Sequence, residues 1–159
     1  LTESVQMAGQ TAVATVNQFK RIYRMEYNHG TINTGTVTAR TVSGTGVVVA
    51  QIDPTLAQTL MAIYTVPSGF TAYLTNLDFS TNKGKDAQCR LYAKEFDRSF
   101  RIKHLTEVYE NSYRYDFTVP LHLPEKTDID IIAYRVESAG TRVSCNFDLI
   151  LVDNARPNH

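Results

Sequence analysis

Strand-forming and turn-forming residues alternate at short intervals along most of this chain. Runs rich in Val, Ile, Thr, Tyr and Phe are interrupted by turn signals such as Pro67-Ser68-Gly69 and the polar segment TNKGKD at 81–86. β-branched and aromatic residues favour strands, whereas Gly, Pro and Asn favour turns. Many short strands joined by short polar turns indicate two antiparallel sheets packed face to face. We therefore predict an all-β fold, an antiparallel, jelly-roll-like β-sandwich.

The candidate strands begin close to the start of the sequence and continue to its last residues. In chain order they are SVQMAG, TAVATV, FKRIYRMEY, TVTARTV, TGVVVAQI, AIYTV, FTAYLTNLDFS, AQCRLYAKEF, FRIKHLTEVY, YRYDFTV, DIDIIAYRV and TRVSCNFDLILV. The fourth and fifth are separated by a turn at Ser43-Gly44. The last alternates apolar and polar residues from Arg142 to Leu149, which is the pattern of a strand with one buried and one solvated face.

Two segments also carry helical signals. Asp53 is a suitable N-cap and Pro54 suits a first helical position, so residues 53–58 form either a helical turn or a loop. In KHLTEVYENSY, at 103–113, the apolar residues are close to helical spacing, but hairpin signals surround the segment. We predict a strand there and leave both possibilities open for 53–58.

The length of 159 residues suits one ordinary domain. A hydrophobic content of 43% allows a buried core, and a charged content of 20% argues against a disordered chain. We predict an N-terminal β-hairpin segment at 1–50 followed by the sandwich at 51–156. The alternative is that both belong to one continuous domain.

The segment VPLHLPEKTDIDIIAYR carries two prolines immediately before a candidate strand. Pro120 and Pro124 lack a backbone N–H, so they are expected in an edge strand or in a crossover between sheets. The alternative is a carboxylate cluster for Ca²⁺ binding or acid–base chemistry, formed by Glu125, Asp128 and Asp130. Calcium loops normally need a flexible turn with glycine, which this segment lacks. We therefore predict a stiff connection and no metal site.

The two cysteines, Cys89 and Cys145, each lie on the apolar phase of a candidate strand. We predict that both pack in the core as small hydrophobic side chains, with a disulfide as the alternative. Two cysteines without CxxC spacing do not suggest a zinc site.

Other features of the sequence argue against several classes of function. Basic and acidic residues number 16 each, whereas proteins that bind nucleic acid usually carry an excess of Lys and Arg. No apolar run approaches the roughly 20 residues of a membrane span. The sequence has no nucleophile elbow, phosphate-binding motif or metal-spaced histidines. We predict that the protein is not an enzyme, has no catalytic residues and no cofactor, and binds neither nucleic acid nor a membrane.

Two neighbouring hairpins, EFDRSFR and YENSYRY, are rich in aromatic residues and arginine. Tyr and Arg are enriched at protein interfaces, and aromatic rings also stack on sugars. Ordinary sandwich packing, with every second aromatic side chain in the core, is the alternative. The candidate partner interface consists of Phe96, Arg98, Phe100, Arg101, Tyr113, Arg114 and Tyr115.

Several long motifs carry a resemblance that covers nearly the whole chain. They are LTESVQMAGQTAVATVNQFKRIYRMEY, LMAIYTVPSGFTAYLTNLDFSTNKGKDAQCRLYAKEFDRSFR, FTVPLHLPEKTDIDIIA and NFDLILVDN. In these motifs the sequence resembles a family of tailed-bacteriophage virion proteins found in marine and environmental phages. In that family the matching region lies well inside a longer protein, so the resemblance implies that this chain is a C-terminal portion or a processed product.

The resemblance implies a structural protein of the virion, assembled in the host cytoplasm. The expected role is that of a capsid decoration, or cement, protein on the outer surface of the head. Its expected partners are the major capsid protein or other virion proteins, and it is expected to be a homo-oligomer, by analogy a trimer. The alternative is a receptor- or carbohydrate-binding module of a tail or head fibre, for which a glycan would be the ligand.

Overall fold

The structure is a computed structural model that describes residues 2–28, 32–41 and 46–155. Backbone contacts divide the chain into two compact units, Leu1–Met61 and Ala62–His159. Within the described ranges every regular element is a β-strand. The same part of the chain contains no helical segment with the length and hydrophobicity of a bilayer span.

The first unit contains one antiparallel hairpin, formed by β1 (Val37–Arg40) and β2 (Val48–Ile52). It confirms the fourth and fifth candidate strands, and Ala50 and Ile52 are buried. The turn expected at Ser43-Gly44 lies outside the described residues.

The first three candidate strands do not form. Their described residues make only isolated bridges, Ala8 with Thr11 and Glu26 with Gln58. The sequence pattern in this region is typical of strands, but a strand also needs a continuous hydrogen-bonded neighbour. The prediction of strands before β1 is therefore wrong.

Residues 53–58 form a loop rather than a helical turn. Thr55 and Ala57 have φ angles of 70° and 57°, a left-handed conformation that a right-handed helix cannot continue through. Asn33 holds the loop, because its side-chain amide donates to the carbonyl of Asp53 at 2.9 Å and accepts from the N–H of Ala57 at 3.1 Å. These bonds replace the hydrogen bonds that a helix would have made, and Asn33 is buried as a result.

The second unit is a sandwich of two antiparallel sheets. Its strands are β3 (Ile63–Thr65), β4 (Phe70–Thr81), β5 (Asp86–Lys94), β6 (Arg101–Tyr109), β7 (Ser112–Leu123), β8 (Asp128–Val136) and β9 (Val143–Asp153). One sheet has the order β3-β8-β5-β6 and the other has the order β7-β4-β9. The prediction of an all-β antiparallel sandwich is confirmed, and so is the prediction of strand over 103–109.

Each sheet turns one apolar face toward the other. Every second residue of β5 is buried from Ala87 to Ala93, as expected for a strand with period two. From the opposite sheet, β4 contributes Leu74, Leu77 and Phe79, all fully buried. On β9 the alternation read from the sequence is confirmed from Val143 to Leu149, because the residues in phase with Val143 are half-buried there while those between them are exposed.

The two cysteines come from opposite sheets, Cys89 from β5 and Cys145 from β9. Both are free thiols within the shared core. A hydrogen bond between them lowers the pKa of Cys89 and raises the pKa of Cys145, which burial raises further. The prediction of core packing is confirmed, and the disulfide alternative is not what the structure shows.

The proline-rich segment forms the end of an edge strand. Pro120 belongs to β7, which pairs only with β4, and it lies in an irregular stretch between the rungs of Asp116 and Leu121. Pro124 follows the strand and begins a turn closed by Thr127, whose hydroxyl donates to the Pro124 carbonyl at 2.6 Å. The edge position expected for Pro120 is therefore confirmed, and Pro124 lies in the connection from β7 to β8 of the other sheet. Residues 120–123, predicted as part of that connection, are strand instead.

Candidate functional site

The β5–β6 turn presents two exposed phenylalanines at one end of the sandwich. Phe96 is 55% exposed and Phe100 is 45% exposed. The ammonium of Lys126 lies 5.0 Å from the ring centroid of Phe96, and that of Lys94 lies 5.7 Å from the ring centroid of Phe100. A cation near an aromatic face is attracted by the ring quadrupole. The turn is therefore an exposed aromatic tip whose rings are flanked by positive charge.

A shallow depression of about 210 Å³ lies beside this tip. It is lined by residues of the turn and of the two strands that it joins: Ala93, Glu95, Arg98, Ser99, Arg101 and Lys103. Two of the four sequence-predicted residues of this hairpin, Arg98 and Arg101, line the depression together with Lys103 and Glu95. Phe96 and Phe100 lie in the same turn but outside this lining. A site of this composition suits an anionic or hydroxyl-rich group rather than an apolar ligand.

The other three sequence-predicted residues lie near the opposite end of the sandwich and face different ways. β6 runs from Arg101 to Tyr109, and the short turn after it leads into β7, where Tyr113 and Tyr115 face the interior. Arg114, between them, faces solvent, where it bonds Asp116 at 3.0 Å and Asp78 at 3.4 Å. The hydrogen bond to Asp116 raises the pKa of Arg114 further. The structure therefore does not bring all seven predicted residues into one surface.

Tyr113 and Tyr115 belong to an aromatic cluster that surrounds His104 of β6. The ring centroids of His104 and Tyr115 are 4.5 Å apart, and Phe117 packs edge-on against Tyr115 at 4.9 Å. Burial lowers the pKa of His104, and its Nε2 is buried without a hydrogen-bond partner within the described residues. The cluster contacts the buried ring of Phe79, whose centroid lies 6.4 Å from that of Tyr113. The alternative of ordinary sandwich packing therefore describes Tyr113, whereas Tyr115 lies at the border of the core and is 37% exposed.

The outer side of β8, β5 and β6 carries apolar side chains that sequence reasoning missed. Ile102, Leu105, Ile132 and Tyr134 are 49%, 48%, 48% and 59% exposed. They become neighbours through strand register, since Arg90 of β5 pairs with Leu105 on one side and with Ile132 on the other. We call this surface, with Tyr92 and Arg90, the exposed face of the four-stranded sheet.

Arg90 is held in place at the centre of the exposed face. Its guanidinium carbon lies 3.4 Å from the ring centroid of Tyr134, and its nitrogens donate to the Tyr92 hydroxyl at 3.3 Å and the Gln88 side chain at 3.2 Å. The bond to Tyr92 raises the pKa of Arg90. A fixed guanidinium among aromatic and aliphatic side chains is typical of the residues that dominate protein–protein binding.

Polar groups border the exposed face at one end. Glu107 of β6 accepts hydrogen bonds from the Tyr109 hydroxyl and from Gln88, which together lower its pKa. An apolar centre with a polar border is the usual composition of a protein interface. The sequence does contain a signal for the exposed face. Ile132 and Tyr134 of β8 alternate with the side that includes the buried Ile129, so they lie on the solvated side, where polar residues would be expected.

The carboxylates considered for calcium have other partners. Glu125 accepts hydrogen bonds from the N–H of Gly69 at 2.5 Å and from the Ser68 hydroxyl at 3.1 Å, and these bonds lower its pKa. Asp128 accepts from the Thr65 hydroxyl at 2.7 Å. In ranges 2–28, 32–41 and 46–155 no three His, Cys, Asp or Glu side chains group in a way that would hold a metal ion.

Comparison of the chain with protein-family models, curated proteins and solved structures gave no match. The two surfaces just described, the exposed face and the aromatic tip, are the features of the molecule that bear on its function.

Proposed function

We propose that this protein is a structural component of a phage virion, a decoration protein that binds the outer surface of the head through its exposed face. The observation that carries the proposal is the group of half-exposed apolar side chains around Arg90. The resemblance of the sequence motifs to tailed-phage virion proteins supplies the class of partner, which is the major capsid protein.

Apolar side chains on the outer side of a sheet favour binding to another protein surface. Contiguous exposed apolar patches on a soluble protein often mark interaction sites. Burial of Ile132 and Leu105 against a partner would contribute a favourable binding free energy of roughly 25 cal/mol per Å² of apolar area removed from water. Arg90 is already oriented by Tyr134 and Tyr92, so little side-chain entropy remains to be lost on binding.

A decoration protein acts by mass action and repetition. Each copy that binds assembled but not dissociated capsid subunits stabilises the assembled shell. Because a head presents the same surface many times, the modest stabilisation that each bound copy contributes adds up over the whole particle. That the protein is a homo-oligomer stays a prediction; the trimer expected by analogy and the dimer inferred below are alternatives that the same measurement of molecular mass decides.

A second candidate function is glycan binding by a tail or head fibre, and the aromatic tip favours it. Phe96 and Phe100 are exposed at the end of a turn, where a ring can stack on a sugar. Lys94, Lys126 and Arg98 add donors for hydroxyl or acidic groups.

The first experiment is to count copies of the protein in purified particles by quantitative mass spectrometry against the major capsid protein. Hundreds of copies would support decoration, and a few to a few dozen would favour the fibre. Absence from the particles would contradict both candidate functions.

Two variants then show which surface binds the head and which binds a glycan. Ile132→Glu places a charge in the exposed face and should abolish co-sedimentation with heads, whereas Phe96→Ala should reduce only glycan binding. Ser112→Glu, on the solvated side of the other sheet, is the matched control. Head binding that survives Ile132→Glu would contradict the assignment of the exposed face.

A further inference from the structure

The two sheets of the sandwich have four edge strands, and three of them carry features that discourage pairing with another chain. Unpaired backbone groups on an edge strand bind other strands unless the edge is short, bulged, charged or interrupted by proline. β3 has only three residues, and β7 contains Pro120. β6 is bulged at Lys103, between the rungs of Ile102 and His104.

β9 lacks all of these features except charge, since it contains Asp148 and Asp153. It is eleven residues long and contains no proline, lysine or arginine. The irregularity in its pairing with β4 belongs to β4, because Leu74 and Asn76 pair with the consecutive residues Leu149 and Asp148. β9 therefore presents a long and regular edge.

The side chains of β9 are also incompletely covered. Inward-facing residues of the central strand β4 are fully buried, whereas Val143, Phe147 and Leu149 on β9 are only half-buried. Ile150 is 57% exposed. A further strand beside β9 would complete the burial of this row.

The sequence of β9 complements itself in one antiparallel register. When Phe147 lies on a twofold axis perpendicular to the sheet, paired residues share the same face, as strand geometry requires. The inward pairs are then wholly apolar: Val143 with Leu151, Cys145 with Leu149, and Phe147 with its own copy. On the outer side, Asn146 lies opposite the partner's Asp148 and can donate to its carboxylate. Moving the axis to Asp148 would instead place two aspartates opposite each other.

We infer that β9 pairs with β9 of a second copy of this chain, which joins two three-stranded sheets into one sheet of the order β7-β4-β9-β9-β4-β7. The contact is isologous, so each Asn146–Asp148 pair occurs twice. This inference does not rest on the proposed function, because the exposed face lies on the other sheet of the sandwich.

The test uses the full 159-residue chain in sedimentation-equilibrium experiments. The unchanged protein should be a dimer that dissociates on dilution. Asn146→Asp places like charges opposite each other at both pairs and should raise the dimer dissociation constant by about tenfold or more. Asp148→Asn combined with Asn146→Asp exchanges the two partners and should restore most of the lost affinity. The new aspartate at 146 lies opposite Asp78 of its own chain in both variants, so the comparison between the single and the double variant isolates the contact between copies. Asn76 can still donate to the new amide oxygen at position 148, where it now bonds Asp148 at 2.8 Å.

Circular dichroism of each variant separates loss of folding from loss of pairing. A monomer at all concentrations, a trimer, or a dimer unaffected by Asn146→Asp would overturn the inference. Failure of the double variant to recover dimer formation, with its fold intact, would also overturn the proposed register.

Discussion

Two leucines on neighbouring β5–β6 rungs allow a sharp test of which side of the four-stranded sheet is buried. Leu91 of β5 faces the interior opposite His104 and is 1% exposed. Leu105 of β6 faces outward opposite Arg90 and is 48% exposed. Replacement of each by alanine removes the same atoms, so the difference in cost measures the difference in burial.

The expected magnitudes follow from these exposures. Leu91→Ala removes a fully packed side chain and leaves a cavity, so the free energy of unfolding should fall by about 2–5 kcal/mol. Complete burial of a leucine side chain contributes about 1.5–3 kcal/mol to the free energy of unfolding. Leu105 is 48% exposed, so roughly half of that contribution applies to it. Leu105→Ala should therefore cost about 1 kcal/mol.

Urea unfolding followed by circular dichroism measures both costs, and an unchanged slope shows that the unfolded state is the same. Equal costs for the two variants would refute the assignment of the outer side. Head binding provides the second readout: Leu105→Ala should weaken it, while Leu91→Ala should not under conditions where that variant is folded. The opposite result would contradict the role of the exposed face.

Three further predictions concern the interior of the sandwich. Because burial lowers the pKa of His104 from 6.5, the unfolded chain binds the proton first as pH falls. The urea midpoint should therefore decline as pH falls through 6.5, and His104→Phe should flatten this decline; an unaltered profile would show that another group is responsible. Cys89 and Cys145 should both react with a thiol reagent in urea and far more slowly in the native protein, and fewer than two reactive thiols in urea would contradict their free state. Thr127→Val should lower the free energy of unfolding by about 0.5–1.5 kcal/mol, because the Pro124 carbonyl loses the hydroxyl bond and keeps the bond from the backbone N–H of Thr127; no loss in thermal or urea unfolding would show that the hydroxyl bond contributes nothing.

The strands of the sandwich could be predicted because one face of each is buried. The alternation along β9 and β5 reports that burial directly, residue by residue. The two prolines around β7 were equally informative, since a residue without an N–H is restricted to edges and turns. Local sequence thus predicts the character of each strand in this unit.

Other features depend on contacts that sequence patterns do not contain. The residues before β1 have strand-like composition, but pairing was needed to turn that preference into strands. At residues 53–58, the amide of Asn33, some twenty positions earlier, decided the backbone conformation. The exposed face was missed because Leu105, Arg90 and Ile132 come from three strands and only become neighbours through register.

The pairing of β4 with β9 has a consequence for the order in which the chain folds. Phe70 pairs with Asp153, so the three-stranded sheet joins segments that are far apart in the sequence. Contacts of this kind form late and slowly, because a long loop must close before they contribute any stability. During synthesis β4 and β7 emerge well before β9, so the apolar strand at the centre of the finished sheet begins as an open edge. A chain held at that stage would be prone to aggregation, and β4 is covered on both sides only when β9 has been made.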